Sequence, residues 1–246
     1  MEWNSHLFVG TLLISTALTT AGAVLVWRRA LSTRLRVSSI ALLICSSAWS
    51  ALYAAELLST QLSSKIFWSK LQFLPILTVP TVFLIFAIAC VGHGDWLNRR
   101  TIGILAIVPS AAWLMVATNE FHQLMWTTTT IRETGGLSTL VHAYGPAFWL
   151  QAAYSYSLVT AGTITLTSRI LQQREMYGLS VIAAAPAGVV PAASRLAYSL
   201  NACPLFALDL TPIALTAGSG DSLGAFARSA EGHKGPNAQD CSRNHG

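Results

Sequence analysis

Four ionisable side chains stand near the ends of long apolar stretches, where opposite charges could form a buried polar site: Glu56, Lys70, Arg195 and Asp209. A charge inside the bilayer costs about 2.5–3.5 kcal/mol on insertion scales, so a partner or a polar cavity is expected. Trp49 and Tyr53 precede Glu56 at the i, i+4, i+7 spacing of one helix face. We therefore predict a polar pocket, formed by these six residues, that binds a small ligand or responds to the state of the membrane.

Arg195 is the deepest of these groups. It lies about five residues, or roughly 7–8 Å, from the end of its apolar stretch. We expect either Glu56 or Asp209 to neutralise it. The alternative is that Glu56, Lys70 and Asp209 only extend their charged ends to the membrane interface.

A second group of polar residues lies in a segment predicted to be a loop, from Asn119 to Tyr144. It contains Asn119, His122, Trp126 and His142. Histidines at such a position could sense pH or bind a metal ion. Their wide spacing argues against a metal, so we expect surface or loop-packing roles here and no cofactor.

The elements that would position these residues are membrane-spanning helices. Only 10% of the 246 residues are charged and 53% are hydrophobic, against about 25% charged in soluble domains. These values argue against a water-soluble enzyme. A span needs about 20 apolar residues and must satisfy its own backbone, so a helix is expected. The predicted spans are Leu7–Trp27, Val37–Leu58, Leu71–Val91, Thr101–Thr118, Pro146–Ser168 and Gly178–Leu200, with a weak seventh from about Leu205.

The fold prediction is therefore an all-α integral membrane protein with six clear transmembrane helices and a weak or truncated seventh. Basic residues concentrate in alternate loops, first among them Arg28, Arg29, Arg34 and Arg36. The positive-inside rule makes those loops cytoplasmic. The expected protein is a multi-pass plasma-membrane protein with its amino terminus and polar pocket outside. Anionic lipid is a sufficient partner for the net charge of +5, and no nucleic-acid partner is expected.

Several motifs occur in a defined order along this topology. They are WSALYAAEL at 49–57, WSKLQFL at 68–74, Gly92–Leu97 followed by Arg99–Arg100, Thr118–Trp126, Tyr144–Trp149 and Asp209–Pro212. In this order the chain resembles the N-terminal seven-transmembrane region of histidine kinases over roughly residues 7–217. The resemblance implies a sensory or input domain at 1–217, a region that in the family commonly precedes cytoplasmic signalling domains.

Two departures from that family qualify the expectation. Residues 218–246 form a polar tail that begins GSGDSLGAF where the family continues into an Arg-rich linker, and this composition predicts disorder. No kinase core follows. We therefore expect a truncated or frame-shifted, non-catalytic relative that acts through a cytoplasmic signalling protein or a homodimer.

Two other functional classes remain open at this point. A small transporter or permease would need inverted repeats and carboxylates at midplane, whereas the polar groups here lie at one face. An intramembrane enzyme would need a nucleophile beside a base in the bilayer, and the spans contain no histidine or aspartate at midplane.

Overall fold

The structure, a computed structural model, describes residues 3–29, 31–92, 94–134 and 137–172. This part of the chain is mostly helical. The helices are α1 Trp3–Arg28, α2 Thr33–Leu58, α3 Leu62–Cys90, α4 Arg99–Ala117, α5 Asn119–His122 and α6 Pro146–Gln172, with a short 3-10 turn at Gly94–Trp96. The sixth and seventh predicted spans, Arg195, Asp209 and the tail at 218–246 lie outside the described residues.

Four described helices are long and apolar enough to cross a membrane: Leu7–Arg28 of α1, α2, α3 and α4. They overlap the first four predicted spans, although α3 begins well before its predicted start, and the fifth predicted span lies on α6. Pro75 and Pro80 lie inside α3, and Pro109 lies inside α4. The chain is a multi-pass membrane protein.

Helix α3 is the centre of the described bundle. It packs against α2, α4 and α6, and α1 packs against the far side of α2. Trp49 of α2, Phe83 of α3 and Leu166 of α6 belong to one buried apolar cluster. A displacement of α3 would therefore be felt by three neighbouring helices.

The segment predicted to be a loop is a β-hairpin, so the all-α prediction does not hold there. Strand β1, Trp126–Thr134, pairs antiparallel with β2, Leu137–Tyr144. The four consecutive threonines at 127–130 are β-branched and favour strands. The two strands satisfy each other's backbone groups, which a bare loop over the bundle could not do.

The bundle has two ends of different character. At the hairpin end lie the end of α2, the start of α3, the end of α4 and the start of α6, beneath the β-hairpin. At the arginine end lie the end of α1 and the opposite ends of these four helices, with Arg28, Arg34 and Arg99. The residues predicted to form the site all belong to the hairpin end where the structure describes them, except Trp49, which lies deeper in the bundle.

Candidate functional site at the hairpin end

Helix α3 begins nine residues before the predicted span, at Leu62 instead of Leu71. The extension adds two helical turns at the hairpin end. It aligns Lys65, Ser69 and Gln72 at the i, i+4, i+7 spacing, so that these three share one helix face. That face meets α2 and the hairpin, and its polar side chains form the centre of the site.

Lys65 joins three elements through one ammonium group. Its side chain is fully buried, with 0% exposed. Nζ donates to the carbonyl oxygen of Glu56 on α2 at 2.9 Å and to that of Ser138 on β2 at 2.6 Å. Carbonyls in the last turn of a helix lack intrahelical partners and attract cations, which explains why a lysine is stable beside the end of α2.

Glu56 joins the same three elements with the opposite charge. It is only 4% exposed. Gln72 Nε2 donates to its Oε2, and the backbone N–H of Leu140 on β2 donates to its Oε1 at 3.3 Å. Lys65 and Glu56 attract each other electrostatically. Burial of two charges is tolerable when each has an opposite charge and hydrogen bonds nearby, and both conditions hold here.

His142 forms a second connection between α3 and the hairpin. Its Nε2 lies 3.0 Å from Ser69 Oγ, and its Nδ1 lies 3.0 Å from Thr129 Oγ1. The ring also packs against Trp126, with 4.8 Å between the ring centroids. The ring of Phe73 on α3 also packs against Trp126, with 5.3 Å between the ring centroids. Aromatic contacts thus seal the hairpin onto α3 beside the polar network.

Asn119 fixes the base of the hairpin. Its side chain is buried; Oδ1 accepts from the N–H groups of Met125 at 2.9 Å and Trp126 at 3.4 Å, and Nδ2 donates to the carbonyl of Trp126 at 2.8 Å. Among the described residues, His122 makes local contacts: its Nδ1 accepts from the Leu124 N–H at 3.0 Å and its Nε2 lies 3.2 Å from Thr118 Oγ1. Asn119 and Trp126 are therefore buried parts of the hairpin, whereas His122 closes a turn.

Lys70 lies apart from the Lys65–Glu56 network. It forms an ion pair with Glu120 and donates to the carbonyl of Ala117 at 3.3 Å. The hydrogen bond from Lys70 lowers the pKa of the Glu120 carboxyl. Lys70 therefore connects α3 to the end of α4 and to α5.

The two predicted aromatic residues of α2 are buried at 3% exposure each but contact different neighbours. Trp49 belongs to the apolar cluster with Phe83, while Tyr53 packs edge-to-face on Phe8 of α1 at 6.1 Å. Of the six residues predicted for the pocket, Glu56 contacts the hairpin through the backbone N–H of Leu140.

Three residues at the centre of the site were missed in the sequence. Lys65 is not among the residues predicted for the site, and Ser69 and Gln72 lie in the WSKLQFL motif without a predicted role. Their spacing on α3 repeats that of Trp49, Tyr53 and Glu56 on α2, and this signal could have identified them. Within the described ranges, no group of three or more His, Cys, Asp or Glu could hold a metal ion.

Comparison with known families gives one match. The family model described as the N-terminal 7TM region of histidine kinase matches residues 11–224. The match covers the whole of the site and most of the chain. No curated protein matches the chain.

Proposed function

The chain belongs to the family of the N-terminal 7TM region of histidine kinase, a membrane sensory input region, and we propose that its hairpin end is the part that receives the stimulus. A stimulus is any change, such as a bound small ligand or an altered membrane state, that stabilises one hairpin position over another. The domain itself performs no catalysis in this proposal. Its output is a change of helix packing at the arginine end.

One observation carries the proposal. The buried Lys65 and Glu56 each hold α2, α3 and β2 together, so the hairpin cannot move without changing contacts of both helices. A ligand shifts a conformational equilibrium only through contacts that differ between the two states. These hydrogen bonds are contacts of that kind. Because α3 also packs against α4 and α6, its movement would reach the other end of the bundle.

The orientation completes the proposal. We place the amino terminus and the hairpin outside the plasma membrane and the arginine end in the cytoplasm, where a signalling protein or a second copy of the chain would respond. The arginine-rich turns support this through the positive-inside rule. Reporter fusions after Leu58, Cys90 and Gly246 test it. A reporter active outside when fused after Cys90 would overturn the orientation.

Arg195 and Asp209 retain their proposed role as partners of the site. We propose that Glu56 or Asp209 neutralises Arg195, because a charge at that depth requires compensation. The test is a pair of double-mutant cycles, Arg195→Leu with Glu56→Gln and Arg195→Leu with Asp209→Asn. A coupling free energy in one cycle supports the pairing, and strict additivity in both rejects it.

A distance measurement in the full chain tests signal transmission itself. Spin labels on Cys90 of α3 and on Ser168→Cys of α6 report the arginine end, after Cys45, Cys203 and Cys241 are replaced by serine. We expect Lys65→Gln, which breaks the hairpin contacts, to shift the distance distribution. The matched control is Lys70→Gln, five residues away on the same helix, which should leave it unchanged. Identical distributions in both variants and the parent would contradict the proposal.

A further inference from the structure

We propose that Lys65 and Glu56 form the recognition site for a small zwitterion, whose carboxylate binds Lys65 and whose ammonium group binds Glu56 in place of strand β2. This inference rests on the proposed function, because it names the chemistry of the stimulus received at the hairpin end. The ligand class is an amino acid whose two charged groups are separated by a short extended chain.

The strand β2 presents one acceptor and one donor to this pair. Lys65 Nζ binds the carbonyl of Ser138, and Glu56 Oε1 binds the N–H of Leu140. Backbone groups of residues i and i+2 point to the same edge of a strand, and β1 pairs with β2 along the opposite edge. The helix side chains therefore bind the free edge of β2 at two points that flank Thr139.

The groups that β2 supplies are neutral, whereas both side chains that bind them are charged. Each existing hydrogen bond therefore already has one ionised partner. A carboxylate on Lys65 and an ammonium group on Glu56 would replace the neutral partner with an opposite charge and add Coulombic attraction in a site of low dielectric constant. A ligand with only one charge would improve one contact and disturb the other.

Access to the pair requires that β2 moves. Both side chains are buried while the strand is docked, at 0% and 4% exposure. A two-stranded sheet is marginally stable alone and depends on what it packs against. Strand β2 thus occupies the site that a ligand would fill. The ligand stabilises the state in which β2 has moved away from Lys65 and Glu56.

The spacing of the two contacts limits the ligand. Thr139 alone lies between the two groups, so four covalent bonds separate the Ser138 carbonyl carbon from the Leu140 nitrogen. The carboxyl carbon and the nitrogen of 4-aminobutanoate are also four bonds apart, and those of β-alanine are one bond closer. Acetate and methylammonium are matched probes that carry only one of the two charges.

Amide hydrogen exchange in the full chain, reconstituted in lipid nanodiscs, tests the inference. A ligand that binds only the displaced state raises its population by the factor 1 + [L]/Kd, so ten times Kd should accelerate exchange of the Leu140 N–H about elevenfold. We expect this from β-alanine or 4-aminobutanoate and not from acetate or methylammonium at the same ionic strength. No acceleration by either zwitterion, or equal acceleration by the single-charge probes, would overturn it.

A conservative variant separates recognition from folding. In Glu56→Gln the amide oxygen can still accept from the Leu140 N–H, but Lys65 loses its nearby negative charge, so the exchange rate of the ligand-free variant is measured first and the response to ligand is expressed relative to it. The variant loses the charge that binds ammonium, and we expect the response to zwitterions to disappear. Glu120→Gln is the control and should respond like the parent chain, and a full response in Glu56→Gln would refute the site. If Lys65→Gln moves the spin labels but no zwitterion accelerates exchange, this inference is wrong while the proposed function stands.

Discussion

The two ends of the bundle both carry opposite charges close together, but they surround them differently. At the arginine end, Arg34 pairs with Asp95 at 3.0 Å while their side chains are 55% and 96% exposed. At the hairpin end, Lys65 and Glu56 are buried and bind groups of three elements. Exposed pairs contribute little because water solvates each partner, whereas buried charges depend on every contact. The exposed pair at the arginine end is therefore expected to contribute little to stability, whereas the buried pair at the hairpin end connects three elements.

The largest expected effect compares one cation from each end. Lys65→Met leaves the buried Glu56 carboxylate without its nearby positive charge and removes the donor of two carbonyls, so we expect a loss of about 3–5 kcal/mol in unfolding free energy. Arg34→Met should cost less than about 1 kcal/mol. Denaturant unfolding of the purified chain in one detergent measures both. Equal losses would mean that burial does not distinguish the two ends.

Two asparagines provide a second comparison. Asn119 is buried and makes three hydrogen bonds with the hairpin base. Asn98 caps α4 at the arginine end, accepting from the Thr101 N–H at 2.8 Å in an exposed position. Asn119→Ala leaves buried backbone groups unsatisfied and should cost about 2–3 kcal/mol. Asn98→Ala should cost about 1 kcal/mol, as for an ordinary N-cap.

Denaturant unfolding of the two asparagine variants measures both losses in unfolding free energy. We expect a second difference between the variants, because Asn119→Ala should also free the hairpin. Amide exchange in the segment 126–144 should accelerate in Asn119→Ala and stay unchanged in Asn98→Ala. A rigid hairpin in Asn119→Ala would show that the Lys65–Glu56 contacts and the aromatic contacts hold it without Asn119.

Two glycines at opposite ends of the bundle lie against different kinds of neighbour: Gly145 lies against backbone atoms and Gly94 lies against a side chain. A Cβ on Gly145 would lie 2.3 Å from the carbonyl oxygen of Leu124, and one on Gly94 would lie 2.6 Å from Nη1 of Arg34. The Leu124 backbone is fixed, whereas the exposed Arg34 side chain can move aside. We expect Gly145→Ala to cost about 1–3 kcal/mol and Gly94→Ala to be nearly neutral. Thermal unfolding of both variants checks this, and a neutral Gly145→Ala would show that the hairpin base can shift.

The parts of the fold that depend on apolar length were accessible from the sequence. The runs between charged residues predicted α1, α2, α4 and α6 closely, because a membrane span requires a fixed length of apolar residues. The start of α3 was missed because the predicted span follows the apolar run that begins after Lys70, and both Lys65 and Lys70 precede that run. Both lysines instead lie on the helix, where tertiary partners compensate their charge.

The site was only partly accessible for the same reason. Burial of Glu56 could be inferred from its position on α2, but its partners come from α3 and from a hairpin some 84 residues later in the chain. Contacts between residues so far apart in the sequence depend on the formation of the strand at Thr127–Ile131. A prediction based on hydrophobic runs does not detect this strand. Lys70 was assigned to the pocket because it stands at the outer end of its apolar stretch, and that position does not tell which neighbours its face of α3 meets.

The smallest predicted effect concerns an exposed ion pair at the hairpin end. It tests whether burial or position in the bundle causes the energetic difference between the two ends. Lys70 lowers the pKa of Glu120 below its usual value of 4.5. Because the folded pKa is the lower one, the pair stabilises the chain above pH 4.5, and the gain is lost as pH falls through the folded pKa. Glu120 is 60% exposed, so Glu120→Gln should remove at most about 0.5 kcal/mol at pH 7 and flatten stability below pH 4.5. Asp95→Asn is the matched control at the arginine end. If Glu120→Gln costs as much as Lys65→Met, then position at the hairpin end, and not burial, determines the energetic difference between the two ends.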